Sequence, residues 1–444
     1  MKQIGKYCLI FLTLVVLCTL ALVGAALIPK DRIRSSIETS VDYLASHEVN
    51  FGRYLIDDME GSKVDETADA NLLNIAWFWD NKHPLDSALR CNCYFEYEKQ
   101  IEMLHEAVFE KAEPNQQYFR YWHGSLLFVR PLLMWLELKG IYTVHYVVMA
   151  LLFLGLLAVL FCHHMNGEAI GLILSMIAVN LWVVPMCLEF TWMFFVMFVV
   201  SIIAVHFAQG RLYDRFGLLF FVTGIVTIFL DFFTTETLTV LVPLMLTLRI
   251  RSRQREEGQL LREGDWLFSF HCCILWALGY VLMWAAKWAL ASVVLKINAF
   301  SAIKPSIELH LSKLGYETKL QYILSILQRN IRCLFPIGNG VIGAVVTFLA
   351  ILIFVFLPVL SDRVRLRQSI RWSQVGLYAG LGLVPYIRYM IIPHHSWVHS
   401  FFTYRAQAAS ILALCFIVAE VVEIRRPPTH TVPMPVSTRS AAHK

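Results

Sequence analysis

The stretch Tyr7–Ile28 reads YCLIFLTLVVLCTLALVGAALI and carries no charged side chain. A helix needs about 20 mainly apolar residues to cross the hydrocarbon of a bilayer. The h-region of a secretory signal is only about 7–15 residues long. The run, preceded by Lys2 and Lys6, therefore reads as a retained anchor, although Gly24-Ala25-Ala26 offers small residues of the kind a signal peptidase cuts after. Similar runs recur at Ile141–Cys162, Ala169–Pro185, Phe190–Phe207, Phe216–Asp231, Leu238–Leu248, Trp266–Leu290, Val341–Leu360, Val375–Ile392 and Ala406–Val422. The 444-residue chain is 57% hydrophobic and 16% charged, with mean hydropathy +0.58. A soluble domain has about 25% charged residues, so an ordinary soluble enzyme, a disordered chain and a nucleic-acid-binding domain are excluded. The fold class expected is an all-α polytopic membrane protein of about ten transmembrane helices.

Charge placement orients these runs. Short cytoplasmic loops collect Lys and Arg. With the N-terminus inside, Arg211, Arg215, Arg249, Arg251, Arg253, Arg255, Arg363, Arg365, Arg367, Arg371, Arg425 and Arg426 all fall on the cytoplasmic side. Both termini are then cytoplasmic, and the short run Leu238–Leu248 must cross. The organisation that follows is a first transmembrane helix (1–28) and an external region (29–140). Transmembrane helices 2–7 (141–295) precede a second external, amphipathic segment (296–340), helices 8–10 (341–424) and a disordered tail (425–444). Within the second segment, Leu311, Leu314, Leu320, Ile323, Ile326 and Leu327 recur at helical spacing over Glu308–Arg332, the pattern of a helix lying on a membrane surface.

Four polar clusters share the predicted external face. Asp65 and Asp69 stand four apart on a helix start, DETADANLLNIA, and share a face. Like charges and burial raise carboxylate pKa values, which suits a general base acting on a sugar hydroxyl. The blander reading is a solvated acidic helix start favoured by the macrodipole. Next, YFRYWHGS at Tyr118–Ser125, followed by Arg130, places Arg120, His123 and Arg130 among aromatics just before a span. That is either an interfacial belt or a lipid-phosphate site, since the guanidinium fork matches phosphate oxygens. Asp231 and Glu236 flank a third loop, and His395, His399 and Arg405 lie in the last, with Arg388 at its edge. A bound anion would compensate Arg388 and Arg405. Zinc on the histidines would need a third ligand, so no metal set is predicted; no cofactor is identified, and a divalent metal is left open without being indicated. No Walker loop or GxGxxG occurs, which disfavours a soluble nucleotide donor. Cys91, Cys93 and Cys333 also fall outside, where disulfides form, and the sequence leaves their pairing open.

The layout resembles the GT-C superfamily of multi-spanning glycosyltransferases, in which a first span precedes a long external loop with an acidic motif. It is closer still to a family of bacterial multi-spanning membrane proteins. The likeness rests on Asp65–Ala76, RYWHGSLLFVRPLL at Arg120–Leu133, Asp231–Leu244 and His395–Arg405. It implies inverting transfer of a sugar from a polyprenyl-phosphate donor to a cell-envelope glycan or lipid acceptor. In that reading Asp65 is the base and Asp69 orients or replaces it. Arg120, His123 and Arg405 stabilise the departing phosphate, and His395 and His399 donate to phosphate or acceptor oxygens. Glu66 is a third acid beside Asp65 and leaves the identity of the base open. The competing reading is a transporter or flippase of a lipid-linked or anionic solute, kept alive by Asn180 and Lys287 inside predicted spans.

Overall fold

The computed structural model describes residues 2–47, 52–97, 99–302, 315–316, 318–338, 340, 343–350, 352 and 364–424. The chain is mostly helical, and the strands among the described residues form three short two-stranded ladders. Among the described residues, six helical stretches are long and apolar enough to cross a membrane: Ile4–Ala26, Leu138–Cys162, Thr191–Gln209, Tyr213–Leu230, Asp265–Leu295 and Ser400–Val421. Leu9, Leu12 and Leu20 on the first, Leu151 and Leu154 on the second, and Phe270 and Val281 on the fifth remain exposed. Such surface is costly in water and neutral against lipid tails. The protein is membrane-embedded and helical.

The other predicted spans turn out differently. Ala169–Pro185 is interrupted at Asn180, whose φ is +53°. It yields a 13-residue helix, Asn166–Ala178, and a tight 3₁₀ turn at Leu181–Met186. Thirteen residues rise only about 20 Å, short of the ~30 Å hydrocarbon layer. Leu238–Leu248 opens a 19-residue helix, Leu238–Glu256, that is buried on nearly every side. Val375–Ile392 forms the helix Trp372–Ile391, which contains Pro385 and Arg388. Val341–Leu360 lies partly outside the described residues, as do Glu308, Leu311, Leu314, Arg363, Arg425, Arg426 and the tail.

The Leu238–Glu256 helix separates two polar ends by about 28 Å, at 1.5 Å per residue. Asp231 and Glu236 stand before its start, and its last turns carry four arginines. These arginines were expected in a short cytoplasmic loop. Instead they are helical and paired: Arg249 and Arg253 with Glu168, Arg251 and Arg255 with Asp265, and Arg249 and Arg371 with Glu420. The network ties together helices Asn166–Ala178, Leu238–Glu256, Asp265–Leu295, Trp372–Ile391 and Ala408–Val421 at the arginine-rich end.

At the opposite end, the segment expected as a long loop folds into short helices. Lys30–Ala45 (α2, following the first helix) packs Ile33, Ile37, Val41 and Leu44 inward at helical spacing. Glu66–Phe78 (α3) and Pro84–Arg90 (α4) follow, then Gln100–His105 (α5), which runs into a π-helical turn at Glu106–Glu110. Leu126–Leu132 (α6) leads into the second long apolar helix. The part of the amphipathic segment that is described, Lys319–Arg332, is a helix with a Thr318/Gln321 capping box. It leaves Leu320 and Leu324 outward and buries Tyr322, Ile326 and Asn330.

Candidate functional site

The acidic motif is held where secondary structure begins. Asp65 is the N-cap of α3, and its Oδ1 accepts from the Ala68 amide at 3.0 Å. Among the described residues its other oxygen accepts no hydrogen bond. Burial pushes the Asp65 carboxyl up to about 6, against the Ala68 amide and the charge of Lys63, which pull it down. Asp69 is fully buried and fully used. The Leu188 amide donates to its Oδ1 at 2.7 Å, and the Tyr142 hydroxyl donates to its Oδ2. Burial raises Asp69 to about 8. Its bonds fasten the motif helix to the second apolar helix and to the loop Cys187–Phe190, so the element Asp69 positions is that loop. Glu66 is used on one side only: Arg53 Nε and His47 Nδ1 both approach its Oε1 at 3.0 Å, while its buried Oε2 has no hydrogen-bond partner among the described residues.

The loop fastened by Asp69 presents Glu189, a half-buried carboxylate. Glu189 lies within electrostatic reach of Asp65, Asp69 and Asp231, and burial, the largest influence, raises it well above the ordinary carboxylate range. It also reaches Tyr118 and Tyr121 of the aromatic segment. Glu189 was not among the expected site residues. The signal was present in the sequence: one acid in a short loop between apolar runs, where uncompensated charge is expensive.

In the aromatic segment Arg120 is half-buried, its guanidinium carbon 5.0 Å from the Tyr118 ring centre and 5.8 Å from that of Tyr121. Trp284 and Trp288 indoles donate to its carbonyl at 2.9 and 3.2 Å. His123 behaves differently from a phosphate ligand. Its Nε2 faces the Tyr118 carbonyl at 3.0 Å and must carry the proton, since a carbonyl only accepts. Burial, then the charge of Lys287, lowers the ring to about 3, so it is neutral near pH 7. Arg130 is fully buried and bonds the carbonyls of Ile28 and Trp79 at 2.9 Å each and that of Ala26 at 3.5 Å. It caps the end of the first apolar helix and the end of α3, a structural role the guanidinium fork fills well.

Asp231 is buried and accepts from the Thr234 amide at 3.0 Å and its hydroxyl at 2.5 Å, closing the loop on itself. Glu236 pairs with Arg388 at 2.9 Å, and Arg388 also donates to the Phe233 carbonyl and to Ser396 Oγ. Arg388 is thus compensated from within the chain, and the anion expected beside it has that role already taken. Arg405 is the contrasting case. It is fully buried, donates to the carbonyls of Phe401 at 2.8 Å and Gly61 at 3.3 Å, and has no carboxylate partner among the described residues. Its guanidinium lies 5.0 Å from the ring centre of Phe190, the neighbour of Glu189. Lys63, 5.0 Å over the Phe401 ring, is a second cation here that sequence reading passed over. His395 and His399 stand with ring centres 4.8 Å apart, and His395 is 6.4 Å from Phe233.

The structure therefore gathers Asp65, Glu189, Asp231, Arg120 and Arg405 around one end of the molecule, with Lys63, His395 and His399 at the margin. Glu236, Asp69 and His123 stand behind them, and Arg130 is spent on carbonyls at the ends of the first apolar helix and α3. Among the described residues no group of three or more His, Cys, Asp or Glu is arranged to hold a metal ion, and all ten cysteines are free thiols. Compared with protein-family models, curated proteins and solved structures, the chain matches none.

Proposed function

We propose that the acid-rich end is the catalytic face of a membrane glycosyltransferase that moves a sugar from a polyprenyl-phosphate donor to a cell-envelope acceptor. The observation that carries this reading is the presence, at one end, of a carboxylate tuned near 6 and a buried guanidinium that has no acid partner among the described residues. The first suits a general base near neutral pH; the second suits a leaving phosphate. Asp65 takes the proton of the acceptor hydroxyl as the oxygen forms its bond to the anomeric carbon. The carbon–oxygen bond to the phosphate breaks, and its electron pair leaves on the phosphate, where Arg405, Arg120 and Lys63 offset the charge. His395 and His399 are proposed to donate to phosphate or acceptor oxygens. In this reading the catalytic end faces outward, the chain spans about ten times, and both termini are cytoplasmic.

The two features that favoured a transporter have structural uses. Lys287 donates to the carbonyls of Ala88 and Leu89 at 3.0 Å, at the end of α4, and Asn180 donates to the Tyr404 hydroxyl at 3.0 Å. The test is purified protein with a labelled polyprenyl-phosphate sugar, with and without Asp65→Asn. Product that appears with wild type and falls in the variant, while donor binding persists, supports the assignment. No product with any donor, together with solute flux in vesicles, overturns it in favour of transport.

A further inference from the structure

A groove of about 420 Å³ lies on the far side of the motif helix, between the end of α2 at Leu44 and Ala45, the first turn of α3 at Thr67, and the segment Lys99–Glu110. That size falls in the range of roughly 300–1,000 Å³ of small-molecule sites. Thr67 is two residues from Asp65, and at 100° per residue its side chain points to the opposite side of the helix from the next-but-one acid, Asp69. The groove is thus separate from the catalytic end yet begins within one helical turn of Asp65.

Two independent features point to a ligand. Thr67 is 6% exposed and lines the groove, and its hydroxyl has no hydrogen-bond partner among the described residues. A buried hydroxyl without a partner carries a desolvation cost that a ligand oxygen or nitrogen would relieve. The walls also carry unbalanced charge: Glu102, Glu106 and Glu110 against Lys99 and His105. Lys99 is taken by Glu102 at 2.6 Å, His105 stands 3.9 Å from Glu110, and Glu106 accepts from the Tyr97 hydroxyl, a neutral donor, so negative charge stays in excess. Leu44, Ala45 and Ile101 supply an apolar floor. Hydroxyl and carboxylate groups over an apolar floor match a sugar, with polar edges and an apolar C–H face, and excess carboxylate selects one that carries an amine.

We propose that this groove binds the glycan chain of the acceptor, and that it prefers amine-bearing sugars. This rests on the glycosyltransferase reading for the word acceptor, and on the groove alone for the sugar. A chain seated on Thr67 would pass the start of α3 to bring its end to Asp65.

The experiment titrates full-length protein in detergent, by calorimetry near pH 6.5, with the disaccharide of glucosamine and with its N-acetylated form. The charged disaccharide should bind about tenfold more tightly. Thr67→Val should weaken it about fivefold, the worth of one neutral hydrogen bond, and Glu110→Gln about tenfold, with loss of the preference over the N-acetylated form. An unchanged unfolding temperature and unchanged binding of a polyprenyl phosphate in both variants would tie the loss to the groove. Failure of either sugar to bind, equal binding of the two, or wild-type affinity in both variants overturns the proposal. Selective binding with no transfer from any donor upholds the groove and sinks the glycosyltransferase reading. Transfer to an acceptor that ignores the groove variants does the reverse.

Discussion

Asp65 and Asp69 stand four residues apart and differ in everything that matters chemically. Asp65 keeps one oxygen without a hydrogen bond among the described residues and is tuned to about 6. Asp69 accepts two bonds inside the wall. If Asp65 is the base, Asp65→Asn should lower turnover about 10²–10⁴-fold with donor affinity kept. Wild-type rate should fall tenfold per pH unit below about 6, as the base becomes protonated, in a pH–rate profile of product formation; a rate flat from pH 5 to 7 would remove Asp65 from that role. Asp69 gives a stability prediction instead. Its folded pKa, about 8 through burial, lies above the unfolded carboxylate value. Ionisation is therefore easier in the unfolded chain, and stability is lost progressively as pH rises from about 4 to about 8. Asp69→Asn cannot ionise, and its amide can still accept from Leu188 and donate to the Tyr142 hydroxyl. The variant should unfold at nearly the wild-type temperature at pH 5 and above it at pH 8, in thermal scans in detergent.

At the scale of elements, the loop between Asp231 and Glu236 is held against its own strain. Phe233 is buried with φ +62°, a conformation that costs a bulky residue about 1–3 kcal/mol. Arg388 compensates by donating to the Phe233 carbonyl while pairing with Glu236. Arg388→Met should leave Glu236 buried and unpaired and destabilise by about 3–5 kcal/mol. The double variant with Glu236→Gln should recover part of that loss, and a double-mutant cycle showing no coupling would refute the pairing. Gly61 plays a comparable part nearby. A Cβ there would come within 2.2 Å of the Cys333 carbonyl and 2.4 Å of Asn180 Nδ2. Its own carbonyl accepts from Tyr404 and Arg405. Gly61→Ala should therefore push Arg405 out of place and weaken polyprenyl-phosphate binding, as measured by titration, while Gly264→Ala, which meets nothing within 4 Å, should not.

At the scale of the molecule, the acids and the paired arginines sit at opposite ends of the Leu238–Glu256 helix. Arg371 bridges to Glu256 at 2.6 Å, so the chain after Arg255 and the chain before Trp372 belong to one end. Reporter fusions at Gly258 and at Arg371 should read the same side of the membrane, and a tag inserted at the exposed Asp57-Asp58 turn should read the other. A tag at Asp57-Asp58 that reads the same side as the fusion at Gly258 would mean that the acids and the arginines are not on opposite sides of the membrane.

What the sequence determined by itself was the solvent. Long uncharged helices with exposed leucines on their surface are satisfied by lipid and not by water. The acidic motif was legible too, since an N-cap and its following acid are local features. Tertiary structure alone decided which polar residues face the cavity and which are consumed inside the wall. Nothing local in Glu66, Asp69, Arg130 or Glu236 says that Arg53, Leu188, Trp79 and Arg388 will meet them across 13 to 152 residues of chain. Nor could periodicity find Glu189, whose place in the site comes from a bond that Asp69 makes to its neighbour's backbone. Ionisable groups in an apolar protein must be neutralised by a partner, and only the packing of distant helices chooses which partner that is.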